Sequence, residues 1–277
     1  MSAINSIPPD KLARLIGTPN SPRIIDVRSG DERSASGGFL PASVLKEAST
    51  AAEWARQIDT HPSVVICADG DGVSAGVAAW LRHFGSPAEM LEGGVSAWAE
   101  KGYPLVPFSK LPPREPSNGS VWVTRARPKV DRIACPWLIR RFVDPDAVFL
   151  FVAPGDVTKV AEQFQAAPFD VDGVFWSHRG ELCTFDTMVE EFRLGSIGAL
   201  ARLAVIVRGA DTARPDLAPQ AAGLVAASLG LSRMYSDDLE QLEAGMLIYD
   251  AFYRWCRDAV DETHDWVSHQ PKKRGKS

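Results

Sequence analysis

The chain has 277 residues, 45% of them hydrophobic and 23% charged, a composition that excludes general disorder and allows two domains of ordinary size. A formal charge of −5 and a pI near 5.6 exclude a global basic field for a nucleic-acid backbone. Residues 1–20 mix Pro8, Pro9, Asp10, Lys11 and Arg14 with short apolar runs, which fits neither a signal peptide nor a membrane span. Four scattered cysteines (Cys67, Cys135, Cys183, Cys256) make no disulfide framework, so reduced thiols and a cytoplasmic location are expected.

In chain order, residues 23–27 read as a strand, 50–58 as a helix, 63–66 as a second strand and 75–84 as an apolar helix. A short strand at 87–91 and a helix at 95–101, ended by Gly102 and Pro104, complete an alternation that implies a parallel sheet with helices on both faces. Residues 107–120, with Pro107, Pro112, Pro113, Pro116 and Gly119, read as a linker. Beyond it, 121–124 and 147–152 read as strands around a helix at 136–143, and 173–177 with 182–185 as a strand pair. Helices are expected at 188–194, 197–208, 219–229 and 239–259, with Asp237 and Glu240 as a capping box. Cys256 falls on an apolar face of that last helix with Leu239, Leu242, Met246, Tyr249 and Tyr253, which makes it a core residue. The expected fold class is α/β for residues 1–106, then a mostly helical α+β domain over 121–262. The basic tail 263–277 reads as a solvated terminus rather than a polyanion contact.

Cys67 follows the apolar run Val64-Val65-Ile66 and opens a glycine-spaced loop, Asp69-Gly70-Asp71-Gly72, that leads through Ser74 into a helix. A thiol where a strand ends and a helix begins meets backbone amides that favour a thiolate or persulfide, while Asp69 and Asp71 oppose it; the sign of the balance stays open. The alternative is an idle, buried cysteine.

Ile25-Asp26-Val27-Arg28, the Cys67 loop and Leu91-Glu92-Gly93-Gly94-Val95-Ser96-Ala97-Trp98 occur in an order that resembles the rhodanese family over residues 5–106. The resemblance implies a parallel α/β fold and a loop cysteine that takes sulfane sulfur as a persulfide from a donor or thiol partner, with Asp26 and Arg28 beside it. Two departures stand out. The loop carries no cation, and Gly38-Phe39-Leu40-Pro41-Ala42 lacks the family's usual histidine.

The second half concentrates Arg125, Arg127, Lys129, Asp131, Arg132, Cys135, Trp137, Arg140 and Arg141. If a helix starts at Pro136, Cys135 sits at its cap beside arginines, an acidified thiol and a seat for an oxyanion. The plainer alternative pairs Arg132, Arg140 and Arg141 with Asp131, Asp144 and Asp146 on a wet helix face. His178, Cys183 and Asp186 flank a hairpin-like turn and are candidate ligands of a transition metal, the alternative being packing residues.

The runs from Val130 to Phe142, Ser177-His178 with Leu182 to Asp186, Ile206 to Asp211, and Tyr249 to Asp258 are similar to the C-terminal domain of chromate-resistance protein B, over residues 121–260. That similarity implies a stress-response role in chromate sensing or resistance in bacteria. The motif positions are Asp131, Arg132, Cys135, Trp137, Arg140, Arg141, His178, Cys183, Asp186, Arg208, Asp211, Asp250 and Arg254. Asp250 and Arg254 read as a surface pair, and Arg208 and Asp211 as a helix end around Gly209.

The leading expectation is a sulfurtransferase or thiol-redox module coupled to a domain that binds chromate, a related oxyanion or a metal. A non-catalytic sensor or scaffold is the second. A nucleic-acid-binding regulator is opposed by the acidic pI, and a membrane partner is not expected.

Overall fold

A computed structural model of the chain describes residues 5–112 and 119–262. The first half holds β1 (Ser6–Ile7), α1 (Pro9–Leu15), β2 (Arg23–Asp26), α2 (Gly30–Ser36), β3 (Gly38–Phe39), β4 (Ser43–Leu45), α3 (Ala51–Trp54), β5 (Ser63–Ile66), α4 (Gly72–His83), β6 (Ala88–Leu91), α5 (Gly94–Glu100) and β7 (Val106–Pro107). Among the described residues, β1-β6-β5-β2-β4 form a five-stranded parallel sheet, with β3 and β7 pairing antiparallel beside it. Ser63-Val64-Val65-Ile66 is buried throughout because β5 is central and covered on both faces. The helix expected at 50–58 is three short pieces, 3-10 turns at Ala48–Thr50 and Ala55–Gln57 around α3. Ala51 and Ala55 are its fully buried anchors, too narrow a stripe to hold a regular helix.

The second half comprises β8 (Val121–Arg125), α6 (Asp131–Leu138), β9 (Val148–Val152), α7 (Val157–Phe164), β10 (Ala167–Pro168), α8 (Thr184–Glu191), α9 (Gly198–Asp211), α10 (Gln220–Met234) and α11 (Asp238–Asp258). The strands make a small parallel sheet, β10-β8-β9, and helices dominate the rest. α6 starts five residues before the expected helix, so Pro136 lies inside it and Cys135 is nowhere near a cap. The proline lacks the N–H that would bond the Arg132 carbonyl, and the helix then widens into a π turn at Ile139–Val143. The expected strand pair at 173–177 and 182–185 is instead a tight turn with one bridge, Arg179 to Leu182. Phe185 belongs to α8, because Asp186 accepts the Cys183 amide at 3.1 Å and starts a helix there. α10 runs through Gly230, and α11 is capped by the Asp237 carboxylate, which accepts the amides of Leu239 and Glu240 at 2.9 Å each. Leu239 is exposed, whereas Leu242, Met246, Tyr249, Tyr253 and Cys256 are buried.

The expected linker is partly built into the fold. Pro107 lies in β7, Phe108 and Leu111 pack against the core, and Lys110 pairs with Glu191 at 2.5 Å. Residues 113–118 and the tail 263–277 lie outside the described residues. One apolar core runs from Ile7, Leu12, Val64 and Trp98 in the first half to Trp137, Phe142, Phe185 and Tyr253 in the second. No helix among the described residues is long and apolar enough to cross a membrane.

Candidate functional site

Cys67 stands at the C-terminal end of β5, 4% exposed, and its loop is clamped by α5. The first amides of that helix, Val95 and Ser96, donate to the carbonyls of Cys67 and Ala68 at 3.0 and 2.9 Å. The approach requires glycine on both sides. Gly70 and Gly94 have φ of 71° and 58°, and a Cβ on Gly94 would come within 2.5 Å of the carbonyl oxygens of Cys67 and Ala68. The run from Leu91 to Trp98 is therefore the lock of the cysteine loop.

Around the sulfur, the Asp71 amide donates to Sγ at 3.3 Å, and the S–H has two acceptors in reach, Ser74 Oγ at 3.1 Å and Asp71 Oδ1 at 3.3 Å. The same Asp71 carboxylate caps α4 by accepting the Val73 amide at 3.0 Å. Gly72 is the first residue of that helix, and Asp69 turns away to accept from Ser96 Oγ at 2.6 Å. The expected basket of amides thus reduces to one donating amide with a carboxylate opposite, since the Ser74 hydroxyl donates to the Asp71 carbonyl at 3.0 Å.

Asp26 and Arg28 do not face the sulfur. Both are buried, paired at 2.6 Å, and Arg28 reaches on to Ser36 Oγ at 2.6 Å and the Gly38 carbonyl at 3.0 Å. They fasten α2 and β3 to the sheet, a structural role in place of the expected catalytic one.

In the second half, Cys135 and Cys183 are fully buried. Burial, then the charge of Asp131, pushes both thiols well up. That burial overturns the expected acidified thiol, and three of the arginines expected beside it already meet carboxylates. Arg132 pairs with Asp170 at 3.2 Å and Arg140 with Glu243 at 2.5 Å. Arg141 grips Asp250 through two bonds of 2.9 and 2.8 Å. These partners also replace the expected wet-face pairs with Asp131, Asp144 and Asp146. Asp250 is buried, takes the Trp137 indole N–H at 2.8 Å, and is no surface partner of Arg254, which pairs with Asp258 at 2.7 Å.

The expected metal trio of His178, Cys183 and Asp186 does not converge. Asp186 caps α8 and faces Arg208 at 3.7 Å, and burial raises its carboxyl. His178 instead meets three aspartates from three other segments. Its Nε2 lies 3.2 Å from Asp211 Oδ2 at the end of α9, 3.5 Å from Asp170 Oδ1 after β10, and 3.8 Å from Asp131 Oδ2 at the start of α6. Donor atoms of Asp131, Asp170 and His178 all lie within 4.8 Å of one another. The first amides of α8, Thr184 and Phe185, donate to Asp131 Oδ2 at 2.6 and 3.3 Å. Burial, then neighbouring aspartate charge, raises the carboxyls of Asp131 and Asp211. Asp170 is the residue that sequence reasoning missed. Its φ of 52°, set by the turn in which its amide bonds the Trp176 carbonyl at 2.9 Å, has no signature in the local pattern.

A cleft of about 880 Å³ opens between the halves, lined among others by Arg23, Arg33, Lys46, His61, Arg140 and Arg141.

Comparison with known proteins follows the same division. Residues 8–101 match the family model of the rhodanese-like domain, and residues 122–256 match that of the ChrB C-terminal domain. Protein ChrB of Cupriavidus metallidurans is 35% identical over 155 residues, 55% of this chain and 46% of that protein, so the chain spans about half the length of this curated relative. Among solved structures, a rhodanese-related protein from Thermoplasma volcanium is 28% identical, covering 37% of this chain and 98% of its own, with a TM-score of 0.33. A rhodanese-like domain protein from Staphylococcus aureus is also 28% identical, covering 34% and 91%, with a TM-score of 0.31.

Proposed function

We propose, from a rhodanese-like domain joined to a ChrB C-terminal domain, that this is a chromate-resistance protein whose Cys67 carries sulfane sulfur or exchanges thiols. The observation that carries the reading is the sulfur's position. Cys67 follows the central strand of the sheet, with the Asp71 amide donating to Sγ and its own carbonyl held by the start of α5. The thiolate of Cys67 attacks the outer sulfur of a persulfide donor, the donor thiolate leaves, and the new S–S bond holds the transferred atom for a thiol acceptor. Asp69 and Asp71 disfavour an anionic donor such as thiosulfate. A cytoplasmic setting, which keeps thiols reduced, suits four buried free cysteines.

The oxyanion partner, chromate in this reading, is assigned to the cleft between the halves, where Arg23, Arg33, Lys46, Arg140 and Arg141 outnumber Glu47, Asp144 and Asp146, and where it would compete with the carboxylates that already hold Arg140 and Arg141. Cys135 and Cys183 have no part in it, since both are fully buried. A second reading, a sensor or scaffold without turnover, is favoured by the S–H held on Asp71.

Intact-mass spectrometry after incubation with a polysulfide donor separates the two. Transfer adds one sulfur atom per chain, lost in Cys67→Ala. A wild-type chain that gains no sulfur leaves the sensor reading.

A further inference from the structure

We propose that Asp131, Asp170 and His178, with Asp211 beside the imidazole, bind one divalent first-row transition-metal ion, a site that stands apart from the Cys67 chemistry. Three distances from His178 Nε2, of 3.2, 3.5 and 3.8 Å, run to a carboxylate oxygen on each aspartate. Those to Asp170 and Asp131 are at and just beyond the edge of a coordination polyhedron, which for bonds of about 2.1 Å measures about 3.0 to 3.5 Å, and the donor atoms of these three residues lie within 4.8 Å of one another. Asp131 is also 0% exposed; its Oδ2, the oxygen nearer the imidazole, takes two amides, and its Oδ1 has no hydrogen-bond partner of its own among the described residues, with the Cys183 thiol beside the carboxylate. A buried carboxylate oxygen left bare costs free energy unless a cation or proton meets it.

The donors are held in place by their neighbours. Asp131 Oδ2 takes the two first amides of α8. Asp170 takes the Thr184 hydroxyl on Oδ1 at 3.0 Å, and Arg132 and Arg125 on Oδ2 at 3.2 and 3.3 Å. Asp211 Oδ1 accepts the Asp131 amide at 3.4 Å, which leaves Oδ2 to face the imidazole. Such outer partners orient ligands before any ion arrives. His178, with a side chain 40% exposed, is the open side of the site, an entry path and a place for water or an exogenous ligand.

The donor set selects the ion. One imidazole with carboxylate oxygens suits Mn²⁺, Fe²⁺ or Zn²⁺. The imidazole disfavours Mg²⁺ and Ca²⁺, and the lack of thiolate disfavours Cu⁺.

The test uses the full chain, stripped with a chelator and dialysed. Mn²⁺ uptake is followed by loss of the free-ion paramagnetic resonance signal, and Zn²⁺ retention by elemental analysis. One ion of either metal per chain is expected, with a higher melting temperature in its presence. Because outer-sphere partners alone are worth about tenfold in affinity, His178→Ala and Asp211→Asn should each weaken binding by at least about tenfold, with unchanged circular dichroism. A folded wild-type chain that takes up neither metal overturns the site, as does binding unchanged in both variants. Neither result bears on sulfur transfer by Cys67, which is read separately by mass.

Discussion

Asp71 does two opposing things with one carboxylate: it starts α4 and it accepts the hydrogen of the Cys67 thiol. Asn at this position retains the cap, since its carbonyl oxygen accepts the Val73 amide as well, and removes the charge beside the sulfur. Asp71→Asn is therefore expected to leave the melting temperature nearly unchanged and to speed alkylation of Cys67 by roughly threefold to tenfold at neutral pH. An unchanged rate would show that the carboxylate does not restrain the thiol. In the same experiment Cys135, Cys183 and Cys256 should label only on unfolding, all being fully buried, with burial pushing the Cys256 thiol up to about 11. The position of Cys67 is legible in sequence, since an apolar run of strand length ending in Cys and glycines specifies where the sulfur stands. Its actual acceptors are not legible, because the Asp71 and Ser74 contacts depend on how the loop closes. Likewise His178 is legible as a ligand-type residue, while Asp131, Asp170 and Asp211 come to it from 47, 8 and 33 positions away, a convergence that only the packing of α6, α9 and the β10 turn creates.

The elements that carry the cysteine loop fit together through backbone amides, with one side-chain bond, Ser96 Oγ to Asp69, beside them. α5 is short, yet its first turn supplies two amides to the loop carbonyls, so any side chain at Gly94 pushes those groups apart. Gly94→Ala adds a φ of 58° that alanine adopts at a cost of about 1 kcal/mol, together with a methyl within 2.5 Å of two carbonyl oxygens. A total loss of roughly 2 to 4 kcal/mol is expected in urea unfolding, with faster Cys67 alkylation as the loop loosens. A loss below about 0.5 kcal/mol would mean that the clamp is soft. Sequence order alone ties the glycine pair to the rhodanese resemblance, and the structure supplies the reason for it. In the second half, periodicity finds α9, α10 and α11 within a few residues but misplaces α6 and α8. There Pro136 and the capping acid Asp186 are governed by tertiary contacts, the burial of α6 and the Asp131 carboxylate at the start of α8.

At the scale of the whole molecule, the division seen in sequence is not a division of the core. Phe142, in the π turn after α6, lies against Gly17 of the first half and packs on Trp137 and Tyr253 of the second, with ring centroids 5.7 and 5.5 Å away. Its carbonyl accepts the Ala42 amide at 2.8 Å, and Arg257 reaches the Arg14 carbonyl at 2.7 Å. Two families of sequence that fold apart would share a polar, hydrated contact, whereas this one is continuous apolar packing. One cooperative calorimetric transition is expected for the full chain. Phe142→Ala should lower stability by about 3 to 5 kcal/mol, because a fully buried ring leaves a cavity that both halves line. The decisive measurement follows each half separately in urea, Cys67 alkylation for the first and the fluorescence of Trp122, Trp137 and Trp176 in the second, with the other tryptophans replaced. Shared packing moves both midpoints together in Phe142→Ala. If the Cys67 midpoint stays where it was while the tryptophan midpoint falls, the halves are energetically independent. The inter-half cleft then loses its claim to a fixed geometry for an oxyanion.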